Sequence, residues 1–205
     1  PVRPEVLVDS RTAGRNYFNL SDDTFTVLIA GGSRGARTIN NAMIDVHKHF
    51  QGTKGIKLIH ITGDGEYKSV LSQLGITDGD GLGDSSVILP YLHDMPKALA
   101  AADLAVFRSG AIGLAELAVR GIPSVLVPYP YAAEDHQTYN ARIFVQEGAA
   151  HMIVDQMLSA HDLIGEIEMF MANRDLLSQM GERALQLGKP NAAHDIAKLA
   201  LSIAK

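Results

Sequence analysis

Short apolar runs along this chain alternate with longer segments in which apolar and polar residues mix. The runs rich in Val, Ile and Leu lie at 25–30, 57–62, 86–90, 103–107 and 123–128, and a shorter one lies at 151–154. Uniformly apolar runs of this length predict strands that helices cover on both faces. The mixed segments after the first five runs have helical spacing, at 36–50, 66–74, 95–102, 111–120 and 136–147. The alternation predicts an α/β fold with a doubly wound, Rossmann-like parallel sheet, whose ligands bind beyond the carboxyl ends of the strands.

The two ends of the chain do not follow this alternation. Residues 1–24 are polar and irregular, and we interpret them as a lead-in segment before a domain at 25–205. Beyond residue 155, apolar residues at helical spacing predict three closing helices, with Pro190 between the last two. These helices are expected to pack on the sheet or on a neighbouring domain.

Composition excludes several classes of protein. The chain has 205 residues, a net charge of −5 and no cysteine. The acidic balance gives no general attraction to nucleic acid, so any site for an anion must be built locally. Without cysteine, a disulfide, a zinc–thiolate centre and a cysteine nucleophile are excluded. No apolar run reaches the roughly 20 residues of a membrane span, and the first ten residues lack the apolar core of a signal peptide, so we expect a cytoplasmic location.

The loop at 75–86 contains three aspartates at alternating positions. Asp78, Asp80 and Asp84 suggest a calcium loop, but Leu82 stands at the fifth position and the closing glutamate is missing. We therefore interpret the loop as a turn-rich connection and predict neither a metal nor a cofactor for the chain.

The sequence AGGSRGAR at 30–37 follows the first predicted strand and leads into a helix. It matches the G-x-S-x-G pattern of a hydrolase, with Ser33 as the nucleophile, but no earlier strand is present to supply an oxyanion loop. The alternative is a phosphate-binding turn, in which Gly31, Gly32 and Gly35 let the backbone approach an anion at the helix start. Arg34 and Arg37 oppose the helix dipole, a cost that an anionic ligand would reverse, unless both simply extend into water.

A second turn of the same kind follows the fourth predicted strand. Arg108 ends the strand, and Ser109 and Gly110 lead into the next helix, which carries Glu116 in its second turn. Two converging helix starts and an arginine would suit a diphosphate, and a carboxylate can accept both hydroxyls of a ribose. Glu116 can also be explained without a ligand, as a negative charge that interacts favourably with the helix dipole near the helix start.

A polar cluster follows the fifth predicted strand, in YAAEDHQTYNA at 131–141. Gln137 and Asn140 are three residues apart and share a helical face, so their amides could bind sugar hydroxyls. The same cluster, which includes Asp135 and His136, is equally typical of a helix N-terminal cap.

The segments GGSRGAR, RSGAIGLAE and EDHQTYNA, in this order and spacing, resemble the C-terminal domain of MurG-type transferases. These are the UDP-N-acetylglucosamine–N-acetylmuramyl-(pentapeptide) pyrophosphoryl-undecaprenol N-acetylglucosamine transferases of bacterial peptidoglycan synthesis. PVR at 1–3 is similar to the interdomain segment of the family, and LPYLHDM at 89–95 is similar to its uracil-contacting loop. The resemblance covers nearly the whole chain and implies the donor-binding half of a GT-B glycosyltransferase.

The resemblance also implies roles for individual residues. Ser33 and the turn at 31–35 would meet the donor diphosphate, beside Arg108 and the turn formed by Ser109, Gly110, Ala111 and Ile112. Tyr91 would cover the uracil and the Leu92 backbone would contact its edge, while Glu116 would hold the ribose. His136 and Gln137 would contact the N-acetylglucosamine hydroxyls, and Arg3 matches an arginine near the hinge.

Two residues depart from the family pattern, Gly113 where threonine is frequent and His136 where some members carry glutamine. The resemblance further implies that the acceptor domain, the main membrane contact and the catalytic base belong to a region before residue 1. The expected reaction is inverting transfer of N-acetylglucosamine from UDP to a lipid-linked muramyl-pentapeptide, at the cytoplasmic face of the inner membrane. Transfer of another sugar from UDP, a serine hydrolase and a non-catalytic nucleotide-binding module stay open as alternatives.

Overall fold

The core of the molecule is one sheet of six parallel strands. The strands are β1 (Phe25–Ala30), β2 (Ile56–Ile61), β3 (Ser86–Leu89), β4 (Leu104–Phe107), β5 (Ser124–Leu126) and β6 (Ala150–Met152). They lie in the order β3-β2-β1-β4-β5-β6, which is the order of a Rossmann-like sheet. The predicted doubly wound parallel sheet is therefore confirmed. The structure is a computed structural model that describes residues 1–32, 35–77 and 82–204.

The first 24 residues form two short helices, α1 (Pro4–Val8) and α2 (Arg11–Tyr17), so the prediction of an irregular segment was wrong. The Ser10 hydroxyl caps α2 by accepting a hydrogen bond from the Ala13 amide at 3.1 Å. Val6 is fully buried and Phe18 is nearly so. Helices of one or two turns hold too few apolar residues to show a periodicity. Tertiary packing, rather than a local sequence pattern, stabilises them.

The helices that connect the strands agree with the predicted positions within two residues. They are α3 (Arg37–Phe50), α4 (Asp64–Leu74), α5 (Met95–Ala101), α6 (Ala111–Arg120) and α7 (His136–Gln146). Three more helices follow β6, namely α8 (Ala160–Ala172), α9 (Arg174–Leu187) and α10 (Ala192–Ile203). Pro190 lies between α9 and α10, as predicted.

The two faces of the sheet carry separate apolar layers. Along β1, Leu28 and Ala30 pack on one side against α5, α6 and α7. Phe25, Val27 and Ile29 pack on the other side against α3 and α8. Because successive strand residues face opposite sides, a strand buried on both faces has to be apolar throughout.

The closing helices differ in how they pack. Helix α8 contacts α3 and α9 contacts α6, whereas α10 has no buried residue. Ile196 and Leu199 on α10 are 55% and 61% exposed. The predicted packing on the sheet thus holds for α8 and α9 and not for α10. Across the described residues, the structure contains no helix long and apolar enough to cross a membrane.

Candidate functional site

The candidate site lies where β1 and β4 are neighbours in the sheet. From β1 the chain continues to β2 on one side, and from β4 it continues to β5 on the other. At such a switch point the two following connections separate and leave a crevice at the carboxyl ends of the strands. The turn after β1 and the turn after β4 are the two glycine-containing turns that the sequence singles out.

The turn after β1 requires glycine for steric reasons. Gly35 has a φ of +75°, and a Cβ there would lie 2.1 Å from the carbonyl oxygen of Thr62. A Cβ on Gly31 would lie 2.3 Å from that of Ala36. The backbone at Gly31 and Gly35 is therefore packed tightly against its neighbours, and Gly35 is held in a conformation that other residues rarely adopt. Ser33 and Arg34 lie outside the described residues, so the hypothesis that Ser33 is a nucleophile stays a prediction.

Both turns line one cavity of about 460 Å³, a volume typical of small-molecule sites. Gly31 and Gly32 contribute from the turn after β1, and Gly110 and Arg108 contribute from the turn after β4. The predicted convergence of the two turns on one cavity is confirmed. The other predicted residues that line this cavity are Arg3, Tyr91, Leu92, Ile112, Glu116 and Gln137.

Glu116 lies in the wall of this first cavity and is 6% exposed. Its Oε1 accepts two hydrogen bonds from the half-exposed Arg3, at 3.1 Å from Nε and 3.0 Å from Nη2. This pairing explains how a carboxylate can be buried here, because a buried charge needs a partner. Since both bonds use Oε1, Oε2 is the oxygen through which a ligand hydroxyl could be accepted.

The loop after β3 forms the apolar end of the first cavity. Tyr91 is half exposed, and its ring packs edge-on against His93 with 4.9 Å between centroids. Leu92 is buried and also lines the cavity. Gly113 also lines the cavity, and an added Cβ would make an ordinary 3.5 Å contact with Phe107. Glycine is therefore not sterically required at position 113.

Arg108 is held in place by three acceptors. Its Nη1 donates to the carbonyl oxygens of Val127 at 3.1 Å and Pro128 at 3.0 Å, and to Oδ1 of Asp155 at 2.5 Å. Asp155 also accepts a 3.0 Å hydrogen bond from the Thr38 hydroxyl on the first turn of α3. Asp155 therefore connects the two turns and offsets the charge of Arg108.

Sequence reasoning missed Asp155 and Thr38. Asp155 is 47 residues from Arg108 and 117 residues from Thr38 in the chain. The available signal was position: Asp155 follows a strand, and residues that follow parallel strands meet at one edge of the sheet.

A second cavity of about 510 Å³ adjoins the first. The two share Gly31, Gly32, Arg108 and Gln137, which form the boundary between them. The second cavity is otherwise lined by residues that follow β1, β5 and β6, namely Gly35, Ala36, Arg37, Thr38, Tyr129, Pro130, Tyr131 and Asp155. The two cavities thus form one crevice with the glycine turns at its middle.

The first cation of α3 is paired within the protein. Arg37 lines the second cavity and donates to Oε1 of Glu66 on α4, at 3.2 Å from Nε and 2.9 Å from Nη2. This hydrogen bond raises the pKa of Arg37. Arg37 therefore links the starts of α3 and α4, although its side chain is 77% exposed to water.

The turn after β4 is braced by the start of α7. Ser109 is fully buried and donates from its hydroxyl to the carbonyl oxygen of Gln137 at 2.8 Å. The Asn140 amide donates to the carbonyl oxygen of Ser109 at 3.1 Å, and Gln137 Oε1 accepts from the Tyr129 amide at 3.0 Å. These side chains fix the turn, so the hydroxyl of Ser109 and the amide of Asn140 act within the protein.

His136 lies beside this brace rather than in it. It is exposed, its Nδ1 lies 2.8 Å from the carbonyl oxygen of Ala133, and it is absent from the described walls of both cavities. Before it, Glu134 and Asp135 both have a φ of +52°, and Asp135 accepts a 2.6 Å hydrogen bond from the Thr138 hydroxyl. Gln137 therefore lies at the boundary of the two cavities, whereas the preceding residue, His136, lines neither of them in the described structure.

Five helices begin around this crevice, and the described residues provide no side-chain cap for α3, α4, α5, α6 or α7. The first N–H groups of a helix have no partner within it, and the helix dipole places partial positive charge there. Residues at these starts line the crevice, among them Gly63 and Met95. The crevice is therefore suited to an anionic group. Among the described residues no group of three potential metal ligands occurs, and Asp78 and Asp80 of the predicted loop lie outside them.

A crevice at the switch point of a Rossmann-like sheet, lined by glycine turns and helix starts, is the arrangement of nucleotide-binding α/β domains. The sequence model of the glycosyltransferase family 28 C-terminal domain matches residues 26–199. The chain belongs to this family.

The chain is also similar to curated proteins and to a solved structure. It is 42% identical over 200 residues to the UDP-N-acetylglucosamine–N-acetylmuramyl-(pentapeptide) pyrophosphoryl-undecaprenol N-acetylglucosamine transferase of Desulforamulus reducens, which covers 97% of this chain and 54% of the relative. The protein of the same name from Desulfitobacterium hafniense is 42% identical over 204 residues, which covers 100% and 55%. Acinetobacter baumannii MurG has a TM-score of 0.75 and 28% identity, over 97% of this chain and 55% of that one. These similarities confirm the resemblance in the sequence, and the chain spans about half the length of the relatives it matches.

Proposed function

We propose that the chain is the donor-binding half of an inverting glycosyltransferase that transfers N-acetylglucosamine from UDP to a lipid-linked muramyl-pentapeptide. The observation that carries the proposal is the single crevice in which two glycine turns and Glu116 meet, in a chain of glycosyltransferase family 28. The names of the relatives supply the sugar and the acceptor.

The nucleoside occupies the first cavity in this proposal. Tyr91 covers the uracil, the Leu92 backbone meets its edge, and Ile112, which is 72% exposed at the start of α6, borders the same space. Glu116 accepts the ribose hydroxyls through Oε2 while Arg3 keeps its charge balanced through Oε1. A buried carboxylate is a strong acceptor because charge-assisted hydrogen bonds are stronger than neutral ones.

The diphosphate lies at the boundary of the two cavities. In this proposal the backbone N–H groups of Gly31 and Gly32, and those of Gly110 and Ala111 at the start of α6, donate to it. Ser33, which lies outside the described residues, is expected to contribute from the same turn as Gly31 and Gly32. Arg108 lies beside it, fixed by its carbonyl and Asp155 contacts. As the bond between the sugar and the diphosphate breaks, negative charge develops on the departing oxygen, and preorganised donors of this kind stabilise it.

The N-acetylglucosamine occupies the second cavity, next to Gln137 and the exposed ring of Tyr131. His136 contacts the sugar only if its side chain turns away from Ala133. The catalytic base that removes the proton from the acceptor hydroxyl belongs to the acceptor domain, which lies before residue 1 in this proposal.

Residues 1–24 are the interdomain segment, and residues 25–205 are the donor-binding domain. The exposed apolar side chains of α10 suit contact with the preceding domain. The whole protein would lie at the cytoplasmic face of the inner membrane, with the membrane contact mainly through that domain and with no role for nucleic acid.

Isothermal titration calorimetry of the chain with UDP, ADP and NAD tests the nucleotide assignment. We expect UDP to bind and the other two nucleotides to bind much more weakly, and tighter binding of NAD would contradict the proposal. Titration with UDP-N-acetylglucosamine, UDP-glucose and UDP-galactose then tests the sugar. A preference for either of the other two sugars would support transfer of a different sugar.

A further inference from the structure

Two buried histidines lie behind the candidate site. His47 on α3 and His60 on β2 are both fully buried, and their rings are stacked with 5.2 Å between centroids. His47 Nε2 lies 3.1 Å from His60 Nδ1. Neither residue lines the crevice in the described structure.

The histidines belong to a hydrogen-bonded chain that ends at the site. His47 Nδ1 lies 2.9 Å from the Ser86 hydroxyl, and His60 Nε2 lies 3.0 Å from Asn40 Oδ1. Asn40 Nδ2 in turn donates to the carbonyl oxygen of Thr62 at 2.9 Å. The side chains of all five residues are buried. The hydrogen-bonded chain therefore runs through the interior, from Ser86 on β3 to Thr62 at the end of β2.

The direction of every hydrogen bond in this chain follows from its last member. The carbonyl of Thr62 can only accept, so the Asn40 amide must turn its NH2 toward it and its oxygen toward His60. His60 then carries its proton on Nε2 and accepts on Nδ1, which requires His47 to donate from Nε2. His47 Nδ1 is left to accept from Ser86. This direction of donation holds when both imidazoles are neutral, and protonation of both rings would break the hydrogen bond between them.

Burial favours that neutral state. It lowers the pKa of His47 to about 4. Burial, and then the charge of His47, lowers the pKa of His60 well below its usual range. At neutral pH both rings therefore each carry one proton, as the directed chain requires.

Thr62 is the point at which three segments of the crevice wall meet. Its carbonyl oxygen is the atom that a Cβ on Gly35 would approach to 2.1 Å. Its own amide and hydroxyl donate to the carbonyl oxygen of Leu89, at 2.9 and 3.2 Å, just before the loop that carries Tyr91. Gly63, the next residue, lines the first cavity. Thr62 therefore contacts or adjoins all three segments.

We infer that His47 and His60 are positioning residues of the donor site, which orient the Thr62 peptide through Asn40 and so hold the glycine turn and the Tyr91 loop in register. This inference rests on the proposed binding of UDP. Stability alone does not require the arrangement, because replacing buried hydrogen-bonding partners with apolar groups is often nearly neutral. The directed chain instead fixes one orientation of one carbonyl.

The most direct test uses NMR of the unmodified chain labelled with 15N, titrated with UDP. We expect both buried imidazoles to carry the proton on Nε2, and their ring N–H signals to shift with the same saturation curve as the Gly31 and Gly32 amides. His161 and His194, on α8 and α10, serve as controls whose ring signals should not move. A proton on Nδ1 of His47 or His60, or unmoved ring signals while the glycine amides shift, would overturn the inference. If UDP moves no glycine amide, the proposed function itself fails.

Variants along the hydrogen-bonded chain test the same inference by calorimetry. Asn40→Ala removes the donor to Thr62, His47→Leu interrupts the middle, and Ser86→Ala changes only the far end. At a temperature where circular dichroism shows all three folded, we expect UDP affinity to fall on the order of tenfold for Asn40→Ala, less for His47→Leu and under twofold for Ser86→Ala. Folded Asn40→Ala and His47→Leu chains that bind UDP as tightly as the wild type would contradict the inference. If a variant does not fold, the NMR titration decides.

Discussion

Among the described residues, side-chain caps are frequent at helix starts away from the crevice and missing at those around it. Away from the crevice, α2, α8 and α9 begin with Ser10, Ser159 and Asn173, whose side chains accept a hydrogen bond from the first turn, whereas α10 begins without a side-chain cap in the described structure. Within the described residues, the five helices α3 to α7 have no such cap. A cap contributes about 1 kcal/mol to stability, so its absence at five neighbouring helices leaves stabilising interactions unmade.

This edge of the sheet therefore keeps its helix N–H groups available. Glycine or alanine occupies the cap position of three of these helices, at Gly63, Gly110 and Ala36. A side-chain oxygen there would occupy the donors and the space that an anionic ligand needs. The predictions below test whether the exposed helix starts serve ligand binding and the capped ones serve stability alone.

The largest effect is expected when a cap is added at the crevice. Gly110 has φ −68° and ψ 144°, and an added Cβ would meet only Gln137 Nε2, at 3.9 Å, so the backbone conformation and the space at Cβ both permit aspartate. Gly110→Asp should stabilise the fold by about 0.5 kcal/mol. Its charge should weaken UDP binding by about 100-fold, since like charges brought together cost several kcal/mol. Calorimetry and thermal unfolding measure the two quantities.

Ser159→Ala is the matched control for that experiment. It removes the side-chain cap of α8, in which the Ser159 hydroxyl accepts a hydrogen bond from the Asp162 amide at 3.1 Å. Stability should fall by about 1 kcal/mol while UDP affinity stays unchanged. Loss of UDP affinity in Ser159→Ala, or none in Gly110→Asp, would remove the distinction between the two groups of helices.

The next effect concerns the ribose end of the crevice. Glu116→Gln should weaken UDP binding about tenfold, because hydrogen bonds to a charged group contribute about 1.5–3 kcal/mol. The melting temperature should change little, since the half-exposed Arg3 can be solvated when its partner is neutral. The 2′-deoxy analogue of UDP should bind the wild type more weakly than UDP does, and should bind the variant almost as well as UDP does. If Glu116→Gln weakened the binding of UDP and of its 2′-deoxy analogue by the same factor, Glu116 would act only through folding.

A smaller effect of opposite sign is expected at Asp155. Asp155→Asn keeps an oxygen for Arg108 and a polar group for Thr38 but removes one negative charge beside the proposed diphosphate site. UDP affinity should rise about two- to fivefold at low salt, and the gain should shrink as salt screens the charges. Asp45→Asn, on the exposed face of α3, should change affinity less than Asp155→Asn does. A loss of affinity in Asp155→Asn would show that Asp155 is needed to position Arg108.

The smallest effect is expected at a pair that lines neither cavity in the described structure, formed by His151 and Glu166. Nδ1 of His151 lies 2.7 Å from a Glu166 oxygen, and this hydrogen bond raises the pKa of His151. Since the folded-state pKa lies above the unfolded one, the pair stabilises the fold below the unfolded pKa of about 6.5 and loses this contribution as pH rises through the folded value. Glu166→Gln should therefore lower the melting temperature slightly near pH 5.5 and not at pH 8.5, with UDP affinity unchanged. A larger difference at pH 8.5 would contradict the assignment.

The sequence predicted most of the fold because the strands are buried on both faces. β1 was predicted with its observed ends, and the other strands within two residues, since continuous apolar runs leave little choice of position. The helices α1 and α2 could not be found in the same way. Their stability comes from contacts such as the burial of Val6, which a local pattern does not contain.

The parts of the candidate site that follow from the strand order were predicted, whereas the ion pairs between its side chains were missed. Two turns that follow neighbouring strands must meet at one edge, so the shared cavity could be anticipated. The pairing of Arg108 with Asp155, and of Glu116 with Arg3, depends on side-chain positions that spacing does not give. His47 and His60 lie on apolar segments with no motif around them, so nothing in the sequence marked them as a connected pair.

A crystal structure of the chain with UDP tests the central claim most directly. We expect the two phosphates to accept hydrogen bonds of about 3 Å from backbone N–H groups of the turn at 31–35 and from those of Gly110 or Ala111. A diphosphate bound away from both turns, or held only by side chains with the two helix starts still facing water, would contradict the account.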